Sequence, residues 1–105
     1  MADLARLSIN QATTQAQYGL AEAIAAYSNA DVAGISIWRD KLAECGLDKA
    51  VRMLADRGLR VSGLCRGGMF PGADAAARQA NIDDNLLAID EAVALGAACV
   101  VLVCG

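Results

Sequence analysis

Along the chain, short apolar runs with a two-residue period alternate with longer runs at helical spacing, and this order constrains the fold more than any single motif. Arg6 to Asn10 sets Leu7 and Ile9 against Ser8 and Asn10. Val32 to Trp38 sets Ile35 and Ile37 against Gly34, Ser36 and Trp38. Leu59 to Cys65 reads as a third strand, although Val61, Gly63 and Cys65 alternate with Ser62, Leu64 and Arg66 without a clear apolar side. Ala98 to Cys104 is a continuous apolar run, the pattern of a strand covered on both faces.

The segments between these strands read as helices. Thr14 to Gln17 has capping-box character before Leu20, Ile24 and Tyr27, and the helix ends near Ala30. Arg39 to Cys45 reads as a loop or a single turn. Leu47, Val51, Leu54 and Ala55 form the apolar face of a second helix, which Gly58 stops. Arg66 to Gly72, the most glycine-rich stretch, is expected to be a loop. A short helix over Ala73 to Ala80 is expected next. A longer one follows, with Ile82, Leu86, Ile89 and Val93 as its apolar face and Gly96 as its end.

The order β-α-β-α-β-α-β implies an α/β fold with a parallel sheet and right-handed crossovers. An open doubly wound sheet and a (β/α)₈ barrel both satisfy it. Gln11 to Gln15, after the first strand, lacks the glycines of a dinucleotide fingerprint. Ser8, Asn10, Gly34 and Ser36 put small and polar groups on one face of strands 1 and 2, which suits a barrel lumen better than a sheet covered on both sides. The balance favours four parallel strands in the order 1-2-3-4, with their helices on one side.

Composition narrows the function. The 105 residues are 56% apolar and 20% charged, which fits one globular domain. Nine basic residues against twelve acidic ones give a net charge of −3, and no Lys/Arg stripe argues for nucleic acid as a partner. The stretch from Ile89 to Gly105, broken by Asp90 and Glu91, is too short to span a bilayer, and the first ten residues lack the apolar core of a signal peptide. No membrane partner and a cytoplasmic location are therefore expected. Cys45, Cys65, Cys99 and Cys104 show no C-x-x-C spacing and read as reduced, mostly buried thiols. Without histidine, the commonest general base and a frequent metal ligand are both missing.

Three stretches carry a resemblance: Leu7 to Ala12, Gly34 to Leu42, and Gly58 to Gly68, the last ending Cys65-Arg66-Gly67-Gly68. Together with Asp84-Asn85, Ala88 to Ala92, Leu95 to Ala97 and Val100 to Gly105, they resemble the xylose-isomerase-like barrel family of sugar and sugar-phosphate isomerases and epimerases. The likeness runs over nearly all of residues 1–105 but concerns only the first half of a fold that takes about 250 residues. It implies the amino-terminal half of a TIM barrel. In the family a divalent metal (Mn, Mg, Co or Zn), held by two glutamates, an aspartate and a histidine of later strands, assists proton transfer beside the substrate carbonyl. None of those ligands matches a position here, so no metal and no isomerase turnover are expected of the chain by itself.

What the resemblance leaves is one wall of a sugar-binding mouth at the carboxyl ends of the strands: Asn10, Trp38 with Arg39, Cys65 with Arg66, Gly67 and Gly68, and Cys104 with Gly105. Trp38 can stack on a sugar or simply plug the mouth. Arg66, with the Gly67 and Gly68 amides, can hold a phosphate or carboxylate or can be a solvated arginine at a flexible turn. Asn10 can donate to a hydroxyl or make an Asx turn, and Cys65 can be a reactive thiol or a packed one. A related lyase such as an inosose dehydratase shares the pattern. So does a non-catalytic half-barrel that assembles with itself or with a missing second half. Metal-cluster endonucleases of the same fold need histidines that this sequence does not have.

Overall fold

The computed structural model describes residues 4–103. Its strands are β1 (Ser8–Asn10), β2 (Gly34–Trp38), β3 (Arg60–Gly68) and β4 (Val100–Val103), and its helices α1 (Leu20–Asn29), α2 (Arg39–Cys45), α3 (Leu47–Arg57) and α4 (Ala75–Leu95). One sheet runs β1-β2-β3-β4 with every neighbouring pair parallel, the order expected of a barrel rather than of a doubly wound sheet. Among the described residues no helix is long and apolar enough to cross a membrane.

The core lies between the sheet and the helices. Ile35, Ile37, Val61 and Leu64 from the strands meet Leu20, Ile24, Tyr27, Leu42, Leu54, Ala88, Ala92 and Leu95 from the helices. The opposite face of the sheet is the polar one. There Ser8 and Ser62 hydroxyls meet at 2.6 Å, and Ser36 Oγ donates to the Gly63 carbonyl. Gly34 sits between: a Cβ on it would come within 2.9 Å of both the Ser8 Cβ and an Arg60 nitrogen.

Strand β3 resisted a face assignment because it carries two bulges. Ile35 pairs with Val61 but Ser36 with Gly63, so Ser62 is an extra residue, and Cys65 pairs with Val101 but Gly67 with Leu102, so Arg66 is another. Each bulge reverses the side-chain parity beyond it. That is why Val61 and Leu64, three apart, both reach the core.

Several local expectations are corrected. Thr14 lies in a 3-10 turn (Gln11–Thr14); α1 begins at Leu20 and is capped instead by the Glu22 carboxylate, which accepts from the Gly19 N–H at 3.3 Å. Arg39 to Cys45 is a helix rather than a loop. Arg66, Gly67 and Gly68 belong to β3 rather than to a flexible loop, because Asn85 of α4 grips them: its Oδ1 accepts from the Gly68 N–H while its Nδ2 donates to the Gly68 carbonyl at 2.8 Å. The two helices expected after Pro71 are one 21-residue helix, begun by Asp74, whose Oδ1 accepts from the Ala77 N–H.

The face of α4 is corrected as well. Asn85, Ala88, Ala92 and Leu95 are buried, whereas Ile82, Leu86, Ile89 and Val93 are exposed. Periodicity finds an apolar stripe, but α4 has two, and the alanine-rich one lets the helix axis approach the sheet. Of the described cysteines only Cys65 is buried; Cys45 is half-buried and Cys99 exposed, because Cys99 lies on the polar side of the sheet near Gly63 and Ser36 rather than in the core.

Arg39, at the start of α2, ties α2 to α4. Its guanidinium reaches Asp84 Oδ2 at 2.9 Å and Glu91 Oε1 at 2.8 Å, and its hydrogen bond holds the Asp84 carboxyl below the ordinary carboxylate range. A carboxyl with a lowered folded-state pKa stabilises the fold above its unfolded value, and that stabilisation is lost as pH falls through the folded value. Arg39→Gln is therefore expected to raise the Asp84 titration midpoint, read by carbonyl NMR, and to narrow the stability difference between neutral pH and pH values below the usual carboxylate range. A second expectation concerns Gly34. Gly34→Ala overpacks the Ser8 contact and is expected to cost about 1–3 kcal/mol in urea unfolding, with an unchanged denaturant slope.

Candidate functional site

The carboxyl ends of β2 and β3 open on a cavity of about 370 Å³ lined by Trp38, Arg39, Asp40, Cys65, Arg66, Gly68, Met69 and Asp84. The fold thus brings together four of the six residues expected from sequence: Trp38, Cys65, Arg66 and Gly68. Asn10 and Gly67 lie outside the lining, Asn10 hydrogen-bonded to Trp38 and Gly67 turned toward Asn85 and Leu102. Cys104 and Gly105 lie outside the described residues.

Asn10 positions Trp38. Its Oδ1 accepts from the indole Nε1–H at 2.8 Å and also from the Ala12 N–H at 3.0 Å, so the Asx turn and the mouth residue share one oxygen. Both acceptor directions of that oxygen are occupied, which leaves only the Asn10 amide hydrogens to address a ligand. Beside it, Gln11 is fully buried, and neither of its side-chain amide atoms has a hydrogen-bond partner among the described residues.

Arg66 is exposed because its bulge takes it out of the β3–β4 pairing. The other mouth arginine, Arg39, is neutralised by Asp84 and Glu91, whereas Arg66 has no ion pair among the described residues. Gly67 is needed for another reason than anion binding. A Cβ there would stand 2.9 Å from Asn85 Oδ1 and 3.1 Å from Leu102, so glycine lets α4 close on the strand. Gly68, at φ 90°, gives its N–H to Asn85 and is not a free donor to an anion.

Burial pushes the Cys65 thiol above its ordinary range, and the lowering by Arg66 is the smaller effect. Burial and the raised pKa both disfavour the thiolate, the form of Cys65 that could attack. Among the described residues no three Cys, Asp or Glu side chains converge as a metal site. The three glutamates are engaged elsewhere: Glu22 caps α1, Glu44 pairs with Lys41, and Glu91 pairs with Arg39. Sequence reading missed Asp40, Met69 and Asp84 in the lining and Asn85 behind it. An asparagine among apolar helix positions was the available signal for Asn85, and Asp40 needed α2 to be recognised as a helix starting at the strand end.

Neither protein-family models nor curated proteins give a match to the chain. Solved structures do. A protein of Sinorhizobium meliloti 1021 is 48% identical over 98% of the chain, with a TM-score of 0.94, and the match takes up 38% of that protein. A xylose isomerase-like TIM barrel/4-hydroxyphenylpyruvate dioxygenase fusion protein is 24% identical over 90% of the chain and 15% of its own, with a TM-score of 0.75. A xylose isomerase domain containing protein of Salmonella typhimurium LT2 is 11% identical over 97% of the chain and 38% of its own, with a TM-score of 0.76. The chain thus spans well under half the length of each. In fold it is a four-stranded part of a xylose isomerase-like TIM barrel, the architecture that its sequence motifs resemble.

Proposed function

We propose that the chain forms the amino-terminal wall of the substrate mouth of a sugar or sugar-phosphate isomerase or epimerase, a barrel enzyme that moves a proton next to a carbonyl. The observation that carries this reading is the pairing of Trp38, held in place by Asn10, with the unpaired Arg66 around one cavity at the carboxyl ends of parallel strands. An indole face offers apolar area to the C–H side of a sugar ring, and a guanidinium offers a two-pronged contact to a phosphate or carboxylate. Asp40, whose Oδ1 accepts from the Lys41 N–H, adds a carboxylate able to take hydroxyl hydrogens.

The residues of this chain do not fit the divalent metal of that chemistry, since no donor set converges among those described and the sequence has no histidine. Their part is binding and orientation. Proton transfer falls to groups other than residues 1–105, in a barrel where Trp38 and Arg66 hold the substrate against one wall.

Trp38 is the single tryptophan, so its fluorescence reports on the mouth directly. Sugar phosphates are expected to change its emission saturably, and Arg66→Ala to abolish that response while leaving the response to neutral sugars unchanged. With residues 4–103 exchanged into the Sinorhizobium protein, Trp38→Ala is expected to weaken substrate binding by about 1–3 kcal/mol. Michaelis constants unaffected by either substitution, for every sugar turned over, would remove both residues from the site.

A further inference from the structure

Residues 69–74 join β3 to α4 beside the cavity, and their backbone is held at several points. The Met69 N–H donates to the Val103 carbonyl at 2.7 Å, and Asn81 Nδ2 donates to the Phe70 and Pro71 carbonyls at 3.3 and 2.9 Å. Asp74 then caps α4. With Gly68 gripped by Asn85 on the other side, the conformation of Met69 is imposed by its neighbours.

That conformation is left-handed, with φ at 57°. One other non-glycine residue among those described shares the region, Asp31 at 62°, and aspartate visits it readily because its short polar side chain bonds to nearby backbone. A methionine gains no such bond and carries a crowding of Cβ against its own backbone that glycine escapes. Packing does not account for it either. Met69 is 41% exposed and belongs neither to the core nor to the side chains packed against it. What the side chain does line is the cavity, where it and Trp38 are the two long apolar groups. Trp38 ends β2, Arg66 leaves β3 at its bulge, and Met69 is tied through its N–H to the end of β4. The unpaired guanidinium thus rises between an indole anchored on β2 and a thioether anchored beside β4.

We infer that Met69 is a specificity-determining residue of this mouth, the second apolar wall of a slot that prefers an anion carried on a carbon skeleton over a bare one. The inference rests on the sugar-phosphate reading of the site. Arg66 by itself draws any anion, inorganic phosphate included. Trp38 and Met69 add contact to the C–H surface of a phosphorylated chain, and the unbranched thioether adapts to its shape. Strain held at residue 69 is then offset by what its side chain does in the site.

The test uses the 105-residue chain with Trp38 emission as the readout and fructose 6-phosphate, ribose 5-phosphate and inorganic phosphate as probes. Met69→Gly removes the side chain and frees the backbone, whereas Met69→Asn removes it and keeps a residue that tolerates the left-handed region. Both are expected to weaken the sugar phosphates about tenfold and to leave inorganic phosphate unchanged. Both should hold or raise the urea midpoint, because the crowding is relieved. Phe70→Ala, one residue on, exposed and outside the lining, should alter no probe. In methyl NMR the Met69 signal should move with the sugar phosphates and not with inorganic phosphate, while that of Met53, packed against the core, stays in place. Variants at residue 69 that bind the sugar phosphates as the parent does overturn the inference and leave the reading of the site standing. A urea midpoint lowered in both variants overturns it too, by making Met69 a structural residue. A parent whose emission responds to none of the three probes overturns the reading of the site, and the inference with it.

Discussion

The buried side chain of Asn85 holds the functional end of the molecule in shape. One amide group on α4 accepts from the Gly68 N–H, donates to the Gly68 carbonyl at 2.8 Å and donates to the Asn81 carbonyl at 2.7 Å, so every bond runs to backbone. A buried amide left unpaired is expensive, and one satisfied three times over specifies a single docking geometry. Asn85 thus turns Arg66-Gly67-Gly68 from a glycine-rich loop into the end of a strand, and it does so only because Gly67 has no side chain to keep the helix away. With Gly67 and Gly68 fixed, the bulge at Arg66 has a defined direction, and its guanidinium is set at the mouth of the cavity rather than into the ladder.

The two arginines at that mouth show how the same side chain takes different roles from its surroundings. Arg39 is largely covered, with 17% of its side chain exposed, and is saturated by two carboxylates of α4. It fastens α2 to α4, and most of its donors are committed to those two carboxylates. Arg66, a bulge residue facing solvent, has no side-chain hydrogen bond or ion pair among the described residues, so its donors are open to a ligand. Trp38 and Asn10 show a similar division of labour on β2 and β1: the indole presents area, and the asparagine oxygen fixes its orientation.

The two faces of the sheet differ in what covers them. Its helix face holds a close-packed core of Ile35, Ile37, Leu64 and their helical partners. Its inner face carries serine hydroxyls that satisfy one another, and its last strand presents apolar side chains on both faces.

The sequence by itself determined four parallel strands and, through the small, polar face of β1 and β2, their barrel-like order, because side-chain period and crossover handedness are local properties of the backbone. It also placed Trp38 and Arg66 at strand ends. The parity of β3, the helix at Arg39 and the choice between the two apolar stripes of α4 were decided by tertiary structure. Bulges at Ser62 and Arg66 leave no mark in residue spacing, since an extra residue is seen only against its neighbouring strand. A helix with leucines and isoleucines on one flank and alanines on another buries the flank that fits the space available, and in α4 the sheet left room only for alanine.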